Sequence, residues 1–258
     1  MINIMTGYSS AGGSTVVFNT LVNLFNENGM PSCLYGPYKW KGINCNFKPI
    51  TKADPKKEDY TIFHFLDFKK RIPSKKIILS CHETELLRVK NVNKSLYDTV
   101  VYVSEYQKKW QGVEGVVIPN PIRSFTKKEN DGTKTVASII GSIDQNKRVH
   151  LSIQKALSDG FKDIRLYGNI TDFKYFKTFV HPYLSDEVTY RGVANDMDKV
   201  YKQTSHVYHS PLQETFNLIK YECANAGVIY VGNEGNDPKP EIWANDKIVE
   251  AWRKVLCY

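Results

Sequence analysis

The chain has 258 residues, 41% hydrophobic and 24% charged, close to the globular average, which predicts a packed core in one large domain or two of ordinary size. No run approaches the roughly 20 apolar residues of a membrane span, and the five cysteines, odd in number and never spaced Cys-x-x-Cys, argue against a disulfide framework or a zinc site and for a reducing cytoplasm. The net charge of +8 favours anionic partners such as lipid headgroups, nucleic acid or nucleotide-sugars, although no dense arginine run or nucleic-acid-binding motif is present.

Met1–Met5 reads as the start of a strand and lacks the basic flank and apolar core of a signal peptide. The strand Ile2–Thr6 leads into a glycine loop, Gly7 to Thr15, after which Val16, Val17, Leu21, Leu24 and Phe25 recur at helical spacing as far as Gly29. Short apolar runs follow at Ser32–Tyr35, Thr61–Phe65, Ile77–Cys81, Val100–Ser104 and Val116–Ile118, the pattern of parallel strands covered on both faces. Pro119-Asn-Pro121 and the polar stretch Lys127–Lys134 break this pattern, and the linker is placed there. A second set begins at Val136–Gly141, continues with a helix near Val149–Leu157, and adds strands at Ile164–Tyr167, Val188–Tyr190, Val207–His209 and Val228–Val231. Helices are expected over Phe216–Ala226, stopped by Gly227, and over Glu241–Leu256. The alternation predicts α/β architecture with two doubly wound domains, whose ligands bind beyond the strand C-terminal ends and in the cleft between the domains.

Against this layout Glu214 and Glu222 are the most informative residues. The first lies in a loop at a helix N-terminus and the second two turns down that helix. A helix N-terminus offers unpaired N–H groups and a positive dipole end to phosphate, while flanking carboxylates accept hydrogen bonds from sugar hydroxyls. Phosphate plus polyol suggests a nucleotide-sugar. Two glutamates at this spacing on an amphipathic helix are otherwise ordinary solvated surface.

The glycine loop has neither the lysine of a Walker A loop, since Gly13 stands in its place, nor a dinucleotide fingerprint. Gly12 and Gly13 serve either a tight turn or the close approach of backbone to a ligand. His82 directly follows the strand Ile77–Cys81, at the edge where α/β sites form, although a lone histidine is more often structural. Lys147-Arg148 opens a helix, where two cations oppose the dipole unless an anion binds; a diphosphate clamp and a solvated basic pair both fit. Asp196-Met-Asp198 resembles a metal-binding Asp-x-Asp, but Asn195 or Asp196 as a helix N-cap explains it better. His206 and His209 fall on opposite sides of one strand, making them poor co-ligands and, by default, core or surface residues.

Taken in order, these segments resemble the retaining GT-B glycosyltransferases, especially the large family four, over nearly the whole chain. Ala11-Gly-Gly-Ser14 is similar to that family's first glycine loop, and Ile78-Leu-Ser-Cys-His82 to its strand-end histidine. Tyr102 to Trp110 resembles its valine-serine-helix segment, and Val117-Ile-Pro-Asn120 the close of its N-terminal domain. Gly141 to Lys147 resembles its glycine-arginine to lysine-glycine segment, Tyr190-Arg-Gly-Val193 its glycine turn, and Glu214 to Glu222 its Glu-x7-Glu motif.

The resemblance implies two Rossmann-like domains facing a cleft: residues 1–125 on the acceptor side, 133–238 binding the nucleotide-sugar, and a helix over 239–258 crossing back to the first. It assigns His82, Lys147 and Glu214 to catalysis: His82 faces the donor sugar, Lys147 the diphosphate, and Glu214 the sugar hydroxyls. It gives donor binding to Gly12, Gly13, Ser142, Arg148, Gly192, Val193, Thr215, Phe216, Asn217, Leu218 and Glu222, the last accepting ribose hydroxyls. No metal and no cofactor beyond the donor are required. Four departures stand out: Ser142 replaces the usual arginine, Arg148 and Asn217 stand where the family prefers glycine, and Ser210-Pro211 reverses the usual pair.

The resulting expectation is a cytoplasmic, metal-independent, retaining hexosyltransferase, with peripheral membrane contact compatible with its charge. Glycan, lipid-linked sugar, protein and modified nucleic acid acceptors stay open. The alternatives are a catalytically degenerate GT-B-like nucleotide-sugar-binding or partner protein, for which Ser142 speaks, and a sugar-nucleotide epimerase, for which the proton-transfer groups are not evident.

Overall fold

A computed structural model describes residues 1–66, 70–82, 94–129, 132–232 and 238–257. The chain forms two compact units, Met1–Pro121 with Pro238–Tyr258, and Ile122–Asp237. Positions 130 and 131, within the polar stretch read as a linker, lie outside the described residues.

In the first unit β1 (Ile2–Thr6) is buried along its whole length and leads into α1 (Gly13–Glu27). The helix buries Val17, Phe18, Leu21, Val22 and Phe25 on one stripe. Then come β2 (Ser32–Gly36), β3 (Phe47–Pro49), β4 (Tyr60–His64), β5 (Lys76–Cys81), β6 (Thr99–Tyr102), α2 (Glu105–Gln111) and β7 (Val116–Val117). They make a seven-stranded sheet in the order β3-β2-β1-β4-β5-β6-β7, every pairing parallel. The chain leaves β1 toward β2 on one side and later reaches β4 on the other, so the switch point lies between β1 and β4.

The second unit contains β8 (Ala137–Ile140), α3 (Val149–Ser158), β9 (Ile164–Tyr167), α4 (Phe173–Tyr175) with a π-helical continuation (Phe176–Val180), β10 (Val188–Tyr190), α5 (Met197–Gln203), β11 (His206–His209), α6 (Leu218–Ala226) and β12 (Ile229–Gly232). Its sheet has the order β10-β9-β8-β11-β12, again entirely parallel, with the switch point between β8 and β11. Both faces are covered. Ile139, Ile153, Phe161, Ile164, Leu166 and Tyr208 pack in one cluster, and Ile140, Val200, Tyr201, Val207, Cys223 and Ala226 in another. The continuous apolar runs in the sequence reflect that two-sided burial.

The chain ends in α7 (Asn245–Leu256), which belongs to the first unit and buries Ile248, Val249, Trp252 and Leu256. Trp252 meets Phe25 of α1 edge to face, with ring centroids 6.0 Å apart. Among the described residues no helix is long and apolar enough to cross a membrane.

Element ends differ from the sequence reading for identifiable reasons. Phe65 takes φ 51 and so closes β4 at His64. Ser104 does not extend β6; its hydroxyl caps α2 by accepting from Gln107 N at 3.1 Å. Asn217 takes φ 64, so α6 starts at Leu218 and not at Phe216. Ala244 is extended, which places residues 241–244 ahead of α7. Asp196 is the N-cap of α5, its Oδ1 accepting from Lys199 N at 3.1 Å.

Candidate active site

At the switch point of the second sheet, the loops that leave β8 and β11 are braced against each other. Asn146 O accepts from Leu212 N at 2.6 Å, and the Asn146 side chain bonds both the N–H and the carbonyl of Gln213 at 3.1 Å. Arg148 Nε and Nη2 donate to the carbonyls of Ser210 and Pro211, each at 2.9 Å. The guanidinium expected to share a diphosphate is therefore occupied in holding this loop, and Arg148 itself sits at φ 46. Asp144 folds the first loop: Oδ1 accepts from Lys147 N at 2.8 Å, and Oδ2 from Ser142 Oγ at 2.5 Å and Thr171 Oγ1 at 3.2 Å.

The bracing brings together two of the three residues assigned to catalysis. Lys147 Nζ pairs with Glu214 Oε1, and His209 Nε2 reaches the same oxygen at 2.8 Å. Glu214 is 9% exposed. Burial by itself would raise its carboxyl pKa, but the charge of Lys147 and the hydrogen bond from His209 outweigh it and hold the carboxyl at about 2. The site thus keeps an ionised acceptor beside a cation at a strand end.

Thr215 and Phe216 are buried behind Glu214, Phe216 lying 5.7 Å from the Tyr221 ring, while Leu218 is half-buried. Asn217 holds the left-handed conformation that the resemblance fills with glycine, which asparagine tolerates better than most residues. Its Nδ2 donates to Tyr230 OH at 2.9 Å, and the Tyr230 ring lies 6.3 Å from that of His209. Gly192 (φ 71) and Val193 follow β10, two strands from β8, and Gly192 O accepts from Gly168 N at 2.9 Å. A Cβ on Gly168 would lie 1.7 Å from Gly141 O, so only glycine lets these turns meet.

Glu222 is placed differently from expectation. Its side chain is 2% exposed, with Oε1 bonded by Arg123 at 2.9 Å (Nε) and 2.7 Å (Nη2), and Oε2 by Tyr201 OH at 2.8 Å. It faces protein partners, not a solvent-accessible site.

His82, Gly12 and Gly13 belong to the first unit. His82 Nε2 is 3.2 Å from Ser80 Oγ, and its ring lies 4.9 Å from Phe18 and 5.3 Å from His64. Burial, followed by the neighbouring His64, pushes its pKa well below the usual histidine value, so the imidazole is neutral. Gly12 caps α1 in extended backbone (φ −171), where no special freedom is needed, and a Cβ there would lie 3.3 Å from Tyr8 Cε1. Gly13 is exposed at the first turn.

Two residues, His64 and Arg123, escaped the sequence reading, and a third, His209, was read there as core or surface. His64 ends β4 with Nδ1 3.0 Å from Thr6 Oγ1, and the strand-end position that singled out His82 would have marked it too. His209 ends β11 five residues before Glu214. Arg123 carried no local signal.

No protein-family model matches the sequence, and no curated protein does. Solved structures do match. AviGT4, a glycosyltransferase involved in avilamycin A biosynthesis, aligns with a TM-score of 0.64 at 16% identity, covering 100% of this chain and 88% of that one. Anabaena HepE, solved with UDP and glucose, aligns at 0.64 and 11% identity over 91% of this chain and 81% of its own. The fold is GT-B. S. aureus TarM aligns more partially, with a TM-score of 0.53 at 16% identity over 79% of this chain, which spans only 49% of TarM. Within the GT-B chain described here, the Lys147–Glu214 pair occupies the switch point of the second sheet, and His64, with His82 just past the end of the adjacent strand, marks that of the first.

Proposed function

We propose that this chain is a retaining glycosyltransferase, of hexosyltransferase type and similar to family four with its Glu-x7-Glu motif, that moves a sugar from a nucleotide-diphosphate donor to an acceptor hydroxyl without a metal. The observation that carries this reading is the Lys147–Glu214–His209 group, a buried ionised carboxylate and a cation fixed together at the second sheet's switch point. Glu214 accepts hydrogen bonds from sugar hydroxyls. Lys147, 23% exposed, neutralises the diphosphate as the bond from sugar C1 to phosphate oxygen breaks. The acceptor oxygen bonds C1 on the same face, and its proton passes to the departing phosphate. The backbone N–H groups around Phe216 to Leu218 receive the remaining phosphate charge.

Support comes from the GT-B fold, from the glycosyltransferase AviGT4 and from the UDP held by HepE. In this reading the first unit serves the acceptor, with His82 toward the donor sugar and Gly12–Gly13 beside the ligand, and a cytoplasmic site fits the five cysteines. The net charge of +8 favours an anionic acceptor, whether glycan, lipid-linked sugar or nucleic acid, and peripheral contact with an anionic membrane.

A second reading, a nucleotide-sugar-binding protein without turnover, is favoured by one observation: two N–H donors of Arg148, the guanidinium beside Lys147, are engaged by the Ser210 and Pro211 carbonyls. Thermal-shift screening against UDP-, GDP- and ADP-sugars in EDTA separates the two. A donor-specific shift with slow hydrolysis supports the transferase; a shift without hydrolysis supports the binding protein; no shift with any donor removes both.

A further inference from the structure

Among the described residues Glu222 is the best-sealed carboxylate of the second unit, its side chain 2% exposed beneath a partly exposed Arg123. Arg123 supplies two hydrogen bonds to Oε1 and Tyr201 one to Oε2. The guanidinium lies 5.1 Å over the Phe125 ring, which meets Tyr201 edge-on at 4.8 Å. Burial, with the negative Glu222 next to it, keeps the Tyr201 phenol protonated and therefore a donor.

The backbone carrying Arg123 is fastened along the same surface. Asn225 Nδ2 donates to Arg123 O at 3.1 Å, Lys128 N to Ala226 O at 3.1 Å, and Thr126 N to Asp198 Oδ1 at 2.8 Å. A Cβ on Gly227 would lie 2.0 Å from Lys128 O, so the segment runs directly over the end of α6.

We infer that Arg123, Tyr201 and Glu222 form a closed latch tying the segment that enters the second unit to α5 and α6, and that the donor site takes its nucleotide without Glu222 and without selecting for ribose hydroxyls. The second half rests on the donor-binding function proposed above. A ribose hydroxyl would have to reach a carboxylate whose side chain is 2% exposed and whose two oxygens already accept three hydrogen bonds, so Arg123 or Tyr201 must move aside before it can donate. Displacing Arg123 would leave a cation unpaired, and displacing Tyr201 would strand a buried phenol. Hydroxyls that stay hydrated in the free nucleotide gain too little to offset either loss. Selectivity for the nucleotide then resides in its phosphates and base.

Two measurements on the full chain test this. Calorimetric titration with UDP, ADP and GDP is repeated with the 2′-deoxy and 3′-deoxy forms of whichever binds. Thermal melts are recorded for Arg123→Ala, Glu222→Gln and the double variant. The latch requires deoxy and ribo forms to bind within about threefold of each other. It also requires the double variant to melt no lower than the worse single one, because either change breaks the same contact. A loss of about tenfold or more on removing one ribose hydroxyl overturns the inference. So do additive losses in melting temperature. If no nucleoside diphosphate binds while the melting losses remain non-additive, the donor-binding function fails and the latch stands.

Discussion

Lys147 and Glu214, 67 residues apart in the chain, are joined as an ion pair where strands β8 and β11 end side by side. His209 bonds the same carboxylate oxygen, so one buried negative charge is shared between a cation and an imidazole. Under the proposed function, that carboxylate meets the hydroxyls of the donor and that cation its phosphate.

In the proposed transferase Lys147 faces charge on the leaving diphosphate, and replacing it with alanine removes that group. Single-turnover transfer is expected to slow by about a hundredfold or more, with a smaller loss of donor affinity. Equal losses in rate and affinity would make Lys147 a ground-state anchor only.

The Glu214 carboxyl titrates at about 2 in the folded chain against an ordinary value of 4.5. Between those values the unfolded chain binds a proton that the folded chain does not, so acid favours unfolding. The contribution is complete above pH 4.5, declines as pH falls, and is lost on passing through about 2. A shift of this size corresponds to about 3 kcal/mol. Urea unfolding between pH 5 and pH 2.5 should show the decline, and Glu214→Gln should flatten it. An unchanged slope in the variant would show that Glu214 is not held ionised by its neighbours.

His209→Phe removes the second hydrogen bond to Glu214 and is expected to cost about 1–3 kcal/mol. It should also move the acid decline toward higher pH, whereas His209→Gln, which keeps an N–H donor, should restore part of both. A larger loss in His209→Gln than in His209→Phe would mean that ring packing, and not the N–H donor, matters at this position.

Trp252→Ala deletes the ring that packs against Phe25 and is 2% exposed. Loss of such a side chain costs about 3–5 kcal/mol. The melting temperature of the first unit should fall accordingly; a negligible change would mean that α7 contributes little to that unit.

Much of this was legible because local sequence and burial agree. Ile164–Tyr167 and Val188–Tyr190 are strands with the expected bounds, and α3 starts at Val149 as expected, because apolar runs and periodicity report directly on which face is buried. The three-residue edge strand Phe47–Pro49 and the π-helical turn Phe176–Val180 have no comparable signature. In the site, Lys147 and Glu214 could be read from strand-end positions. The further partner of Glu214 could not, because His209 resembled an ordinary strand residue, and neither could the partner of Glu222, which Arg123 reaches across 99 positions. Arg148 looked like an anion ligand because sequence gives its place at a helix start but not the carbonyls that it bonds.

The most direct test of the central claim is proton NMR of the full chain with UDP-, GDP- and ADP-hexoses in EDTA, following release of nucleoside diphosphate and the anomer of the sugar first formed. Release from one donor, with the donor's own anomeric configuration kept and the rate reduced at least about a hundredfold in Lys147→Ala, is the expected result. Inversion at the anomeric carbon, or wild-type release rates in Lys147→Ala, would contradict it.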